Sequence, residues 1–472
     1  MKHSIVWFRR DLRVTDNPAL SAALANGSAI AVYIHAPDEE APWQPGAASN
    51  WWLHHSLTAL QRQLDGLNIP FIIAKASSAD VLLKLAAKTN AQAVYWNRLY
   101  EPACIKRDAE VTKALAAAGI NSESFNSQLL FEPHQVANKQ GGPFKVFTPF
   151  WRHYQALISE QQVYIDGAPR KQESIAVRPD ANARDIDKLN LLPSLGWADN
   201  FYQHWKPGEA GALSALSQFI ETQLDNYKRD RDYPALGCHS KLSPHLHFGE
   251  IGPRQVWTAL AHLPEPRSET VHASRQHFLS ELAWREFAHH LLVHFPHTPD
   301  SALNPKYQQF PWWHSEQPEL LSRHQSADQA QEMLRKWQQG ETGISMVDAG
   351  MQELWQTGFM HNRLRMLVAS LLTKNMGIHW REGAQWFWDT LVDANLANNT
   401  LGWQWAAGCG ADAAPYFRIF NPDTQAQRFD ESQAYRHRWL AEGWQQATPC
   451  LDLKASRAEA LEVFQNAARF AA

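Results

Sequence analysis

The sequence predicts an α/β N-terminal domain, built on a doubly wound parallel sheet, followed by an all-α C-terminal domain. Residues 1–130 alternate short apolar runs with helical patterns, as chains of parallel βαβ units do. From residue 206 onward the apolar residues repeat with the helical period, and extended apolar runs are nearly absent. The residues between are rich in proline and glycine. We therefore divide the chain into a domain over 1–130, a connector over 131–205 that can hold a functional loop, and a helical domain over 206–472.

The N-terminal elements alternate regularly. The first helix has Asp16 as its candidate cap and Pro18 in its first turn. No GxGxxG motif follows the first strand, so we expect no nicotinamide dinucleotide site, although the carboxyl ends of the strands remain the expected place for a ligand. The predicted strands are 4–8, 29–35, 69–74 and 93–97, and the predicted helices are 17–24, 51–64, 81–88, 105–118, 213–227, 277–295, 329–338, 347–357, 363–376 and 386–395.

Composition indicates a globular protein of a reducing compartment. Hydrophobic residues make up 44% of the chain and charged residues 19%, with no apolar run of a length that spans a membrane. The N-terminus lacks the pattern of a signal peptide, and the four cysteines show no CxxC pairing. We therefore expect a cytoplasmic protein. Its net charge of −4 means that any nucleic-acid site must be a local basic patch.

One helical segment brings three chemical groups to one face. Glu281, Trp284 and Arg285 lie at i, i+3 and i+4, so a carboxylate, an indole and a guanidinium point the same way. This set suits a binding pocket. It suits a solvated helix face with an Arg–Glu ion pair equally well.

Two further segments combine charge with amide groups. Arg363 and Arg365 point to different sides of a helix, so one can reach phosphates while the other makes an internal ion pair; the alternative is an ordinary basic surface. Residues 393–405 place carboxylate and amide groups before two of the 21 tryptophans. A heterocycle rich in N–H and C=O groups, such as an isoalloxazine, would satisfy them. The alternative there is a capped helix end followed by a polar loop.

The segment 238–249 is a Ser/Gly/Pro loop that enters a helix. Its hydroxyl, ammonium and backbone N–H groups suit a phosphate. His239, His245 and His247 also lie here. We expect no bound metal, because no matching set of carboxylates or cysteines accompanies them.

Together these segments resemble the DNA photolyase and cryptochrome family over nearly the whole chain. The resemblance implies light-dependent repair of cyclobutane pyrimidine dimers by a class I-like photolyase, in which excited FADH⁻ gives an electron to a dimer flipped out of the duplex. Its partner is then DNA that carries UV-induced dimers, and we expect a monomer. The segments similar to the family's N-terminal antenna domain are 6–13, 16–20, 96–97, 101–102, 107–108 and 147–150, while the C-terminal segments described above are similar to its flavin domain.

The resemblance implies a U-shaped FAD in the helical domain. Arg365 and Asp393 should form an ion pair under the isoalloxazine, and Asn399 should face its N5. The family usually has Thr, Arg and Asp where this chain has His239, Lys241 and Asn395. The residues assigned to cofactor binding are Tyr227, His239, Ser240, Lys241, Leu242, Ser243, Phe278, Glu281, Arg285, Asn362, Arg365, Asp393, Ala394, Asn395 and Asn399.

The resemblance also assigns the substrate and the electron path. Glu281 should bind the thymine edge, and with Asn399 it counts as catalytic. Oxidised flavin should be photoreduced through Trp403, Trp380 and a surface tryptophan, which is Trp312 or Trp313, with the alignment favouring Trp312. The residues assigned to DNA binding are Arg231, Trp284, Asn362, Arg363, Met366 and Trp405, together with Lys228 as a further phosphate contact.

A second, antenna chromophore is expected in the N-terminal domain, and it can be a folate, a deazaflavin or a flavin. Cys104 stands where folate-binding photolyases carry a key glutamate, which disfavours that mode of folate binding. One rival is a cryptochrome-like photoreceptor that binds FAD without repair; Asn399, the cavity aromatics and the end of the chain at Ala472 count against it. The other is a light-independent flavoprotein or nucleotide-binding protein in which the tryptophans only pack.

Overall fold

Five parallel strands form the N-terminal sheet in the order β3-β2-β1-β4-β5, which confirms the predicted doubly wound α/β architecture. In the central strand, Val6 lies beside Ala31 on one side and Tyr95 on the other. The computed structural model describes residues 2–161, 163–175, 181–321 and 323–470. The strands are β1 (His3–Phe8), β2 (Ser28–Ile34), β3 (Phe71–Ala74), β4 (Ala91–Asn97) and β5 (Asn121–Phe125).

Helices cover both faces of this sheet. The cap of the first helix is Asn17, whose side chain accepts a hydrogen bond from the Leu20 backbone N–H, so the assignment of Asp16 was wrong. Asp16 instead has a positive φ of 52° and faces the guanidinium groups of Arg13 and Arg254. The helices of the domain are α1 (Pro18–Ala25), α2 (Ala47–Gly66), α3 (Ser78–Thr89) and α4 (Pro102–Ala117).

The connector contains a helix that the sequence did not predict. This helix, α5 (Phe147–Glu160), buries Phe147, Phe150 and Tyr154. The three aromatic rings pack against the long helix of the C-terminal domain, so tertiary contacts rather than a regular apolar period stabilise α5.

The C-terminal part is all-α in the described residues, as predicted. The predicted helix 363–376 ends at Ser370 and continues as a π-helical turn, Leu371–Asn375. The predicted helix 386–395 lies earlier, and a further helix begins after Asn395. The helices are α6 (Glu209–Thr222), α7 (Tyr227–Asp230), α8 (Ser243–His247), α9 (Pro253–Ala261), α10 (Glu269–His294), α11 (Ala327–Gln339), α12 (Ser345–Thr357), α13 (Asn362–Ser370), α14 (Trp380–Thr390), α15 (Leu396–Ala407), α16 (Pro422–Phe429), α17 (Ala434–Trp439) and α18 (Leu453–Phe470).

The two halves pack through the turn after α8. Arg13 donates to the Gly249 carbonyl at 2.9 Å, and the Trp52 indole donates to Glu250 at 3.0 Å. Gly249 has a φ of +64°, and a Cβ there would overlap the Arg10 carbonyl, so this close approach requires glycine. None of the described helices is both long and apolar enough to cross a membrane.

Candidate active site

A cavity of about 540 Å³ lies among α10, α13, α15 and the loop before α8. Its volume is within the range of small-molecule and cofactor sites. It collects nearly all of the residues that the sequence assigned to cofactor and substrate. Those that line it are Tyr227, Arg231, His239, Ser240, Leu242, Ser243, Phe278, Glu281, Trp284, Arg285, Asn362, Arg365, Met366, Asp393, Ala394, Asn395, Asn399, Trp403 and Trp405.

Several assigned residues do not line the cavity. Lys241 is exposed and has a φ of 56°, and its ammonium lies 5.7 Å from the centre of a tryptophan ring. Arg363 bonds Asp232 at 2.7 Å and lies over an aromatic ring. Lys241 is therefore turned away from the cavity, and Arg363 is held at its outside. The others are Lys228, Trp380, and Trp312 with its alternative Trp313.

The expected ion pair of Arg365 and Asp393 is present. One guanidinium nitrogen donates to both carboxylate oxygens, at 2.9 and 3.1 Å, and Nε donates to the Met360 carbonyl at 2.7 Å. The Asp393 side chain is 4% exposed. A charge so deeply buried needs this partner, so the pair fixes both side chains at the cavity wall.

Asn399 presents an acceptor to the cavity. Its amide nitrogen donates to the Ala384 carbonyl at 2.9 Å, which fixes the orientation of the side-chain amide. Oδ1 is then the atom left for a ligand, and it can accept a hydrogen bond from an N–H group.

Arg285 is buried and belongs to an internal network. It donates to the Gln128 carbonyl at 2.7 Å and lies 3.3 Å from Glu286. Burial raises the pKa of Glu286 to about 7, although the Arg285 charge opposes that rise. The solvated-face alternative, with Arg285 paired to Glu281 in water, was therefore wrong.

The cavity mouth carries a charged pair and an aromatic platform. Arg231 is hydrogen-bonded to Glu281 Oε1 and lies 2.8 Å from the His277 ring. The Trp284 indole stacks on Phe147, with ring centres 3.8 Å apart and planes 10° from parallel. The unpredicted helix α5 thus supports one wall of the site.

The tryptophans proposed for electron transfer are all buried. Trp403 lies over Gly383, where a Cβ would overlap its indole. Trp312 and Trp313 are 5% and 1% exposed, so the assignment of either as a surface tryptophan was wrong. The half-buried Tyr307 stacks on Trp312 with ring centres 6.2 Å apart, and it lies nearer to solvent.

Sequence reasoning missed several residues that line the cavity. Among them are His247, His361 and Phe359, whose apolar or histidine-rich surroundings gave no pattern by themselves. Phe359 stacks on His239 with ring centres 5.1 Å apart. Burial, reinforced by Lys241, lowers the pKa of His239 to about 4, so this imidazole is neutral at pH 7.

The cavity suits a large, partly polar cofactor. Within the described part of the chain, His239 Nδ1 and Trp403 Nε1 are buried cavity-lining atoms that have no hydrogen-bond partner. Buried polar atoms of this kind need a partner, and a bound ligand can supply it. No group of three or more histidine, cysteine or acidic residues among the described positions could hold a metal ion.

A second cavity, of about 570 Å³, lies between the two domains at the carboxyl end of β1. Trp43 and Trp388 line its apolar side. Arg10 and Glu101, which form an ion pair at 2.9 Å, also line it. Cys104 is buried there, and desolvation raises its thiol pKa, so it is an uncharged thiol and not a thiolate.

Two family models match the chain in the expected order. Residues 4–169 match the model for DNA photolyase, and residues 278–465 match that for the FAD binding domain of DNA photolyase. The chain belongs to the DNA photolyase and cryptochrome family. Both its predicted membership and its predicted FAD-binding domain are thereby confirmed.

Relatives and a solved structure agree with this membership. The deoxyribodipyrimidine photo-lyase of Agrobacterium fabrum is 41% identical over 93% of this chain and 87% of its own length. Cryptochrome-1 of Arabidopsis thaliana is 35% identical over 93% of this chain, which spans 63% of that protein. The crystal structure of a class III photolyase from Agrobacterium tumefaciens has a TM-score of 0.89 and 36% identity, and the match covers 99% of this chain and 98% of the other.

Proposed function

We propose that this protein uses light to repair cyclobutane pyrimidine dimers in DNA, with the cavity as its active site. The observation that carries the proposal is that one cavity joins the flavin-binding set, such as Asp393 and Asn399, to the substrate set, such as Glu281 and Trp284. Relatives named deoxyribodipyrimidine photo-lyase match over most of the chain, which supports the same activity. When bound, reduced FAD supplies the electron that opens the cyclobutane ring after light absorption, and takes it back.

Trp284 acts as a stacking platform for the flipped bases. Phe147 covers one face of the indole, which leaves the other face for the cavity. An aromatic ring in a fixed plane stabilises an unstacked base with little loss of side-chain entropy. Trp405 lines the same cavity and can contact the dimer from a second side.

Glu281 reads the edge of the dimer. Arg231 and His277 both contact its Oε1. Oε2 is therefore the oxygen that can accept a hydrogen bond from a thymine N–H. The Arg231 guanidinium places a positive charge beside this carboxylate. The same guanidinium lies at the mouth, where it can also approach a DNA phosphate.

The opposite wall positions the flavin. Asn399 Oδ1 is placed to accept a hydrogen bond from a ring N–H, and Arg365 brings positive charge to an anionic ring system. Asp393 holds that guanidinium in place. The buried Trp403, Trp380 and Trp312 are the proposed path for photoreduction.

The second cavity is the proposed antenna site. It combines two indoles with ion-paired carboxylates at the carboxyl end of β1, where a doubly wound sheet binds its ligands. A flat heterocycle can stack on Trp43 or Trp388, while Arg10 and Glu101 meet its polar edge. We further propose that the protein acts as a monomer in the cytoplasm, because one chain supplies both sides of the active site and its cysteines are free.

One experiment separates repair from photoreception. Purified, flavin-loaded protein is mixed with an oligonucleotide carrying one thymine dimer and is kept in blue light or in darkness. We expect dimers to disappear in light alone, and Glu281→Ala to repair about 10-fold less at equal flavin content. Flavin that photoreduces normally while dimers persist would instead favour the cryptochrome-like alternative, which the Arabidopsis relative keeps relevant. A protein that purifies colourless and takes up no FAD would favour the alternative of a light-independent, nucleotide-binding protein.

A further inference from the structure

Three buried, uncharged side chains form a hydrogen-bonded chain at the wall of the active-site cavity. The amide of Asn395 lies between two imidazoles, 3.5 Å from His247 and 3.5 Å from His289. Asn395 and His247 are each 5% exposed, and both line the cavity. The family usually has an aspartate where this chain has Asn395. The hydrogen bonds described here need the side-chain amide that aspartate lacks.

The backbone fixes the orientation of the Asn395 amide. Oδ1 accepts the Asn398 N–H at 3.1 Å, as the cap of α15. A backbone N–H can only donate, so this atom must be the oxygen, and the NH₂ group must face the imidazoles. Asn395 therefore donates one hydrogen toward His247 Nδ1 and one toward His289 Nε2.

The protonation of His289 is consistent with donation from the Asn395 amide. His289 Nδ1 lies 2.8 Å from the Arg285 carbonyl, which can only accept, so Nδ1 carries the proton and Nε2 is the bare acceptor. Burial lowers the pKa of His289 to about 3, with the Arg285 charge acting in the same sense. Burial also lowers the pKa of His247, and Arg10 and Arg285 add to that effect.

We infer that Asn395 holds His247 in its Nε2–H tautomer and so presents a fixed hydrogen-bond donor to the flavin. Because His247 Nδ1 accepts from the amide, the one proton of the neutral ring must sit on Nε2. That donor selects an acceptor atom of the bound cofactor, a carbonyl oxygen or an imine-type ring nitrogen. The inference rests on the proposed function only in naming the flavin as the ligand.

An aspartate at this position would reverse the pattern. A carboxylate has no hydrogen to give, so each imidazole would have to donate to it. His247 would then carry its proton on Nδ1 and turn a bare Nε2 toward the cavity, or it would become doubly protonated. Asparagine at 395 and the two neutral histidines are therefore matched to each other.

The tautomer can be read directly. Protein with ¹⁵N-labelled histidine, with and without FAD, is examined by long-range ¹H–¹⁵N correlation NMR at pH 7, and His247→Gln assigns the signals. We expect a pyrrole-type Nε2 and a pyridine-type Nδ1 for His247, and an altered ring in Asn395→Asp. An Nδ1–H tautomer in the unsubstituted protein, or the same His247 tautomer in Asn395→Asp, overturns the inference.

Flavin affinity tests the contact to the cofactor. His247→Gln can still offer an amide N–H, whereas His247→Leu cannot. We expect the leucine variant to bind FAD about 5-fold more weakly than the glutamine variant, and His272→Gln, an exposed site on α10, to bind as the original protein does. Equal affinity of the leucine and glutamine variants would remove the donor role. If the protein binds no FAD at all, the proposed function is wrong. The tautomer of His247 can still be measured in that case, and it still tests the inference.

Discussion

Arg365 and Asp393 form a buried ion pair in the wall of the active-site cavity. Replacing Arg365 by alanine leaves a carboxylate that is 4% exposed without its partner. We expect a loss of about 2 kcal/mol in the free energy of unfolding, together with loss of bound FAD. Urea unfolding of the flavin-free protein measures the first effect. Adding Asp393→Asn to Arg365→Ala should restore part of the stability but not the flavin, and no recovery would contradict the pairing.

Asn399 is a residue whose amide, rather than its size, matters. Asn399→Asp removes the donor that satisfies the Ala384 carbonyl and brings negative charge to the cavity. We expect the absorption spectrum of the photoreduced protein to change while its fold is retained. Asn200→Asp, the same change at an exposed position outside the cavity lining, is the matched control. Identical spectra for the original protein and Asn399→Asp would remove Asn399 from the flavin ring.

At the scale of elements, the connector helix α5 contributes to a site that lies mostly in the C-terminal half. Its Phe147 stacks on Trp284, and such aromatic pairs add about 1 kcal/mol beyond the area they bury. We expect Phe147→Ala to weaken binding of dimer-containing DNA about 5-fold, with unchanged FAD content, because the indole loses its fixed plane. Phe147→Tyr should bind normally. Weaker binding of undamaged DNA to the same degree would mean that the effect is general.

The helices α14 and α15 carry the proposed electron path. Trp403 of α15 lies over Gly383 of α14, and it lines the cavity. We expect Trp403→Phe to slow photoreduction of oxidised flavin at least 10-fold, because phenylalanine is much harder to oxidise, while protein reduced beforehand still repairs dimers. Trp337→Phe, whose indole lies 6.0 Å from Trp403, is the control for packing. Equal photoreduction in Trp403→Phe and the original protein would refute the path.

Across the whole molecule, local sequence patterns predicted most helices and strands. The features that these patterns missed depend on tertiary contacts. The apolar run in β1 was readable, whereas β5 has the polar sequence NSESF at a sheet edge and gives no strand signal. Trp312 was wrongly predicted at the surface because its burial depends on residues distant in sequence: its indole donates to the Thr373 carbonyl at 2.8 Å and lies 5.5 Å from the His379 ring. The hydrogen bond from Asn395 to His247 joins positions 148 residues apart, and no rule of sequence spacing predicts such a contact.

Buried histidines should dominate the pH dependence of stability. Among the described residues, thirteen histidines have a lowered pKa, mostly through burial, whereas five carboxyl groups, Glu286 and Glu353 among them, have a raised one. A histidine held neutral contributes stability above its unfolded pKa of about 6.5, and that stability is lost as the pH falls below this value. A carboxyl group with a raised pKa works in the opposite sense, since its folded form keeps a proton that the unfolded chain releases.

Because the histidines outnumber these carboxyl groups, we expect the flavin-free protein to lose stability as the pH falls from 6.5 to 5. Each histidine that stays neutral in the folded state costs up to ~1.4 kcal/mol per pH unit in that window. Urea unfolding at half-unit steps measures the slope. His289→Gln, which removes a group whose pKa burial lowers to about 3, should reduce the slope by close to one proton, whereas His272→Gln should leave it unchanged. A slope near zero would mean that the buried carboxyl groups offset the histidines. A free energy of unfolding that increases as the pH falls would mean that the carboxyl groups dominate.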